Sequence, residues 1–398
     1  ERAQSVEGTT AAALLASVRS VEVLDRYTVR LHLAEGKGAE LLGTFASTVG
    51  SMISPTAIAS GRDLVREPGD AGSGPYLLEA FVPDQRVVFV DAPGEHWDME
   101  GGGLERIEVQ IIPEVPAQLN ALQSGQLQLV QVRAPHLAQA DRLAEGGRFR
   151  VHRVDTFGQH HLVMSSTRGA LADERVRQAI NHAIDRDAIA QALLEGQCTP
   201  TVQPYPEGHW AYAPDLEARF GYDPQRARDL LTQAGAVGMT FRLVYPAGQS
   251  YEPVAQAVQS MLQDVGIEVA VAPGQSTQQL RQEYIAGEHD GLQTAIVAGT
   301  DPSFTVANYF LGGITVVGAA GGDEIAQLAA GALDPTAGQD QRAEIYRRIW
   351  AEVLDGAWSV PICQVTQSWA YAPEVTGVED MVWATQNVFD LRSLGVTG

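Results

Sequence analysis

The sequence predicts an α/β protein of at least two domains, on three observations. Residues 240–245 alternate as a strand, 254–262 carry helical periodicity and 267–271 alternate again, which is a βαβ unit with parallel strands. Earlier in the chain, 76–81 and 86–90 flank Pro83-Asp84 as an antiparallel pair, so parallel and antiparallel regions are separate in sequence. Between residues 63 and 72 lies a polar Pro/Gly-rich crossing, and 398 residues are enough for more than one hydrophobic core.

Taken in order, Ala11, Leu14, Leu15 and Val18 predict an apolar helix, followed by a strand pair turning at Asp25-Arg26. Residues 105–112 alternate as a further strand and 116–124 read as a short helix. Val176, Ala179, Ile180, Ala183 and Ile184 recur on one helical face behind Asp173, an N-cap type. Asp185 starts a second short helix with Ile189 and Leu193 on its apolar side, and Gly196 is its expected C-cap. Asp223 caps a third, Pro224 suits its first position because no N–H is needed there, and Gly235 ends it. Tyr346, Ile349, Trp350 and Val353 make 341–354 amphipathic, leading into a strand at 359–365. The small residues of 312–322 predict a loop.

Hydrophobic residues are 45% and charged residues 19%, an ordinary globular composition. The net charge of −22 argues against a nucleic-acid partner, since phosphate binding needs clustered Lys and Arg. No stretch of ~18 apolar residues is present to span a bilayer. Cys198 and Cys363 are too few and too far apart for a metal cage; paired or free, both states remain open. Adjacent His160 and His161 on an extended segment point to opposite faces and cannot chelate one ion together, so neither metal nor other cofactor is expected. Nucleophile-elbow, P-loop and zinc-protease motifs are missing, which argues against an enzyme.

The phrases VRQAINHAIDRDAI and YDPQRARDLLTQAG resemble those of ABC-importer solute-binding proteins of family 5, the peptide/nickel/opine type. SGPYLLEAF with DAPGEHWDMEGGGLERIEVQIIP, PAQLNALQSGQLQLVQV and SVPICQVTQSWAYAPEVTG match further motifs of that family in its order. The resemblance implies a class II periplasmic-binding-protein-like α/β fold, with two lobes of mixed sheets, a hinge and a partial small extra domain. Residues 1–62 are then a remnant of small domain II, 63–158 and 376–398 form domain I, and 159–375 form domain III. It further implies that the family's opening strand and the first half of domain II precede Glu1. The expected function is capture of a short peptide or similar small polar solute between the lobes, and its delivery to ABC permease subunits. The expected protein is a monomer outside the cytoplasm, lipid-anchored in its full-length form. Alternatives are a ligand-less sensory or interaction module, and a nickel-complex, opine or oligosaccharide binder.

Hinge candidates under this resemblance are 156–160, around Gly158, and 373–377. Phe157, Gln159 and His161 follow as cleft-lining candidates on the first crossing, with Cys363 and Gln364 on the strand leading to the second. Gln275 and Thr277 lie after a domain III strand where many members carry a ligand-stacking aromatic. Trp210, in PYPEGHWAY, offers a flat face for a ring. Peptide-binding members use an aspartate to neutralise the ligand's α-amino group. The corresponding stretch here holds Gly299 and the pair Asp301-Pro302, in which Asp301 is either that carboxylate or a turn former.

Overall fold

Asp173 and Asp223 cap helices in the structure as their positions in the sequence suggest, and the rest of the fold builds out from such local choices. The computed structural model describes residues 2–5, 11–35, 37–46, 48–64, 66–69, 71–94, 96–97, 103–132, 136–247, 251–311, 315, 319–381, 383–384 and 388–397. The chain divides into two units: Glu1–Thr44 with Asp155–Thr366, and Phe45–Val154 with Gln367–Gly398. The sequence-based crossings at 158/159 and 375/376 thus compare with 154/155 and 366/367, and residues 1–44 belong to the first unit.

In the first unit, β1 (Val18–Val23) and β2 (Val29–Leu33) pair antiparallel, and Asp25 accepts the Tyr27 N–H at 2.8 Å in the turn between them. The helix expected to include Val18 stops at Leu14, because Val18 is drawn into β1 opposite Leu33.

In the second unit a short helix, Pro55–Ala59, precedes β3 (Tyr76–Val82), β4 (Arg86–Asp91) and β5 (Arg106–Gln110), an antiparallel sheet in that order. Asp84 takes a left-handed φ of 58° at the β3–β4 turn, a conformation that Asp tolerates better than most residues. Next come α1 (Val115–Gln123), β6 (Leu129–Val132) and α2 (Leu137–Glu145). Leu119, Leu122, Val130, Val132, Leu137, Ala140 and Phe149 form one core of this unit. The C-terminal tail joins it: Val375–Thr376 pairs with Gly395–Val396, and Trp369, Tyr371, Val378, Met381 and Leu394 pack together.

The strand β7 (Arg150–Met164) carries the chain from the second unit into the first. Its inner half is followed by α3 (Glu174–Ala183), where Asp173 accepts the Arg175 N–H at 2.9 Å. The expected second helix begins at Asp185, which caps Arg186–Ala188, then widens into a π-type turn at Ile189–Leu193. Gly196, at φ 75°, closes that turn by donating to the Ala190 carbonyl at 3.0 Å. After β8 (Cys198–Pro200) comes α4 (Pro224–Gln233), capped by Asp223. Then follow β9 (Thr240–Pro246), α5 (Tyr251–Asp264) and β10 (Glu268–Gly274); β9 and β10 pair parallel, as the βαβ pattern predicts.

Next are α6 (Thr277–Ala286), β11 (Gly291–Val297), α7 (Ala319–Ala332), α8 (Gln339–Asp355) and β12 (Ser359–Tyr371). Of the expected loop 312–322, positions 312–314 and 316–318 lie outside the described residues, and 319–322 already belong to α7. The strand order is β10-β9-β11-β7-β12, with β8 also on β12 and β6 on the outer end of β12. The sheet is mixed, because β11 runs parallel to β9 and antiparallel to β7. Against it packs a core of Leu162, Ile180, Ile184, Leu231, Phe241, Val258 and Ile362, so that α3, α4 and α5 bury the stripes read from the sequence. A second, aromatic core gathers Tyr205, Phe220, Phe310, Tyr346, Ile349 and Trp350.

Candidate ligand-binding site

All ten sequence-derived candidates belong to the first unit, and the structure sorts them into three groups. The first is a buried amide lattice. Gln364 donates to the Thr156 carbonyl, and its own oxygen accepts from Gln159 at 3.2 Å. Gln159 also donates to the Gln203 carbonyl, while the Gln203 side chain accepts from Ala213 N at 2.8 Å and donates to Glu217 at 2.8 Å. Both Gln159 and Gln364 are 1% exposed, so they bond the fold itself and not the surface. The Gln159 Oε1 is the exception, with no partner among the described residues. Beside this lattice Cys363 is joined to Cys198 in a disulfide, which settles what the sequence left open.

The second group surrounds a buried ion pair. Asp301 caps Pro302–Thr305 and binds Arg342 through both carboxylate oxygens, at 2.9 and 2.7 Å. The Arg342 guanidinium lies 5.2 Å over the Trp210 ring and 5.8 Å over that of Tyr346, a cation held by one carboxylate and two aromatic faces. Gly299 accepts the Tyr205 hydroxyl at 2.8 Å and donates to Thr305 Oγ1 at 3.1 Å. A Cβ on Gly299 would stand 2.6 Å from Phe304, which explains a glycine here. Phe157 meets Tyr205 and His209 edge-on, at 5.7 and 5.2 Å, and His209 stacks on Tyr205 at 4.2 Å. Tyr205 and Tyr346 are wholly buried, whereas Phe157, His209 and Trp210 are half-buried, the end of the aromatic array nearest solvent. Burial lowers the His209 pKa to about 4, against the opposing pull of Asp301, so the ring is neutral at pH 7.

The third group stands apart. His161 is 2% exposed within β7, opposite Thr294, and neither ring nitrogen has a partner among the described residues. Burial, with a smaller push from Arg186, takes its pKa down to about 3, so it is a neutral core residue. Gln275 and Thr277 are exposed on either side of Ser276, the N-cap of α6.

Two contributors escape a reading by motif. His209 sits beside Trp210 in the same link, and only the stacking geometry shows its part. Arg342 did leave a signal: it falls on the stripe of Tyr346, Ile349 and Val353 on α8, where a cation needs a buried partner. Among the described residues, Glu283, Glu288 and His289 are the three metal-capable side chains that converge, their atoms within 4.8 Å of one another at the end of α6. There Glu283 and His289 already bond each other at 3.2 Å.

Residues 2–315 match the family model described as bacterial extracellular solute-binding proteins, family 5 Middle. Heme-binding protein A of Haemophilus influenzae is 24% identical over 221 residues, 55% of this chain and 40% of that protein. The Di/tripeptide-binding protein 3 of Pseudomonas aeruginosa is 23% identical over 381 residues, 92% of this chain and 69% of that one. The chain therefore spans well under two thirds of the first relative's length. The structure of HbpA2 from Haemophilus parasuis superimposes with a TM-score of 0.80 at 18% identity, covering 98% of this chain and 77% of that one, a likeness of fold. With the family matched over most of its length, the chain belongs to the family 5 bacterial extracellular solute-binding proteins.

Proposed function

We propose that this chain is the ligand-capturing body of an extracytoplasmic receptor, which passes a short peptide or similar small polar solute, chemically unchanged, to the permease of an ABC importer. Family membership over residues 2–315 carries this reading. The dipeptide and tripeptide specificity named for the Pseudomonas relative supports the ligand class. The buried Cys198–Cys363 disulfide supports a compartment outside the reducing cytoplasm. In the first unit the half-buried Phe157, His209 and Trp210, with exposed Gln275 and Thr277, supply the ligand-contacting groups. Gln159, Gln364, Cys363 and His161 act behind them, as buried supports.

The deciding measurement is a thermal-shift screen of the purified protein against dipeptides and tripeptides, opines, metal chelates and oligosaccharides. A ligand at 100 times its Kd adds about 2.7 kcal/mol of stability by mass action. A shift with small peptides is the expected result. A shift with another class alone redirects the ligand assignment, silence across all classes points to a ligand-less module, and product formation from any hit refutes a pure receptor.

A further inference from the structure

The chain passes between the two units along β7 and β12, entering the first unit at Asp155 and leaving it at Thr366. These two boundary residues are bonded to each other. Asp155 accepts the Thr366 hydroxyl at 2.5 Å and the Thr199 hydroxyl at 3.2 and 3.3 Å. The Thr366 N–H in turn donates to the Gln197 carbonyl at 3.1 Å, next to Cys198, which is covalently joined to Cys363. One step further along β7, Thr156 Oγ1 donates to the Val365 carbonyl at 2.9 Å and accepts the Gly158 N–H at 3.0 Å. Three separate strands thus converge on one carboxylate within a few residues of a disulfide.

Such convergence is more than a solvated surface acid needs. An exposed carboxylate is already satisfied by water, and two threonines from different strands gain little there by chance. Threonine is stiff at χ1, so each hydroxyl aimed at Asp155 also fixes the backbone that carries it. A hydrogen bond to an ionised acceptor is roughly twice as strong as a neutral one.

We propose that Asp155 is a positioning residue: with Thr199, Thr366 and the Cys198–Cys363 bond it makes the inner ends of β7 and β12 one rigid block. Bending of the chain between the units is then confined to the residues outward of Asp155 and Thr366. The value of such a fulcrum to ligand capture rests on the receptor reading, but the block itself does not.

Hydrogen exchange on the ligand-free full chain tests it, comparing wild type with Asp155→Ala, Thr366→Val and Thr366→Ser. In the first two variants the amides of 156–158 and 363–366 should exchange at least tenfold faster, while those of α3 and α4 keep their rates. Thr366→Ser, which retains the hydroxyl, should match wild type. Unchanged exchange in Asp155→Ala and Thr366→Val, or acceleration that spreads equally through α3 and α4, overturns the proposal. Failure of the receptor reading registers separately, as a thermal-shift screen without hits beside an intact exchange pattern.

Discussion

Asp301 offers a carboxylate that sequence alone could hand to a ligand, and the fold consumes it. Both of its oxygens are taken by Arg342, and the two side chains are only 8% and 10% exposed. A charge so placed is held by its partner, and removing that partner leaves it desolvated and alone. Arg342→Met should therefore cost about 3–5 kcal/mol in urea unfolding. Adding Asp301→Asn in the same chain should recover a good part of that loss, because the orphan charge is gone. A single-variant cost below about 1 kcal/mol would mean that Asp301 reaches water, as exposed pairs do. The same logic separates Gln159 and Gln364, buried and spent on backbone carbonyls, from Gln275, which is exposed.

At the scale of elements, α3 is held by Asn181 on its buried side and by Arg186 in the turn that follows. Asn181 donates to the Ser359 carbonyl of β12 at 3.1 Å, and Arg186 donates to the Pro361 carbonyl at 2.8 Å and the Phe220 carbonyl at 3.2 Å. A further Arg186 bond, at 3.0 Å, reaches the Asn181 side chain. Burial pushes the Arg186 pKa down to about 10, with Glu217 and Asp187 opposing, so it stays charged at pH 7. One guanidinium thus ties the end of α3, the start of β12 and the chain before α4. Arg186→Met fills the volume but strands those carbonyls, each worth about 1–3 kcal/mol when left unpaired. The expected outcome is a loss of about 3–5 kcal/mol with far-UV circular dichroism retained. A variant as stable as wild type would show that water replaces the arginine.

At the scale of the whole molecule, two buried histidines, His160 and His161, act together with the half-buried His209, all three held neutral. His160 and His209 are lowered to about 4 and His161 to about 3, in each case chiefly by burial. Their unfolded pKa is near the ordinary 6.5, so below that pH the unfolded chain takes up protons that the folded chain refuses. Stability is then fully present above about 6.5 and falls as pH drops toward the folded values, by about 1.4 kcal/mol per pH unit for each of His160 and His161 and by less for the half-buried, solvent-screened His209. Urea midpoints should decline from pH 6.5 to 4.5, and His161→Leu should flatten the decline. A midpoint constant over that range would contradict the buried neutral state. The disulfide works on the same scale through the unfolded chain. It closes a span of 165 residues, worth about 5 kcal/mol in a chain-entropy account and commonly about 2–4 in practice.

Local chemistry made much of this protein readable in advance. Asp173, Asp185 and Asp223 cap where they stand, because a side-chain oxygen two or three residues from an unpaired N–H has little else to do. The 240–271 pattern folds as its alternation dictates, and the family-like segments point to the family before any coordinate is seen. Harder to read were the places where distant residues compete for one another. Val18 goes to a strand because Leu33 is there to pair with it, and the helix after Asp185 widens to a π-type turn. Asp301 faces inward only because α8 delivers Arg342, 41 positions later in the chain. Likewise no spacing rule could join Cys198 to Cys363 or aim two threonines at Asp155. Caps and alternation depend on neighbours within a few bonds, whereas partners in a core or at a boundary are chosen by three-dimensional proximity. The residues alone therefore determined the elements and the family, and tertiary packing decided which side chains remain available to a ligand.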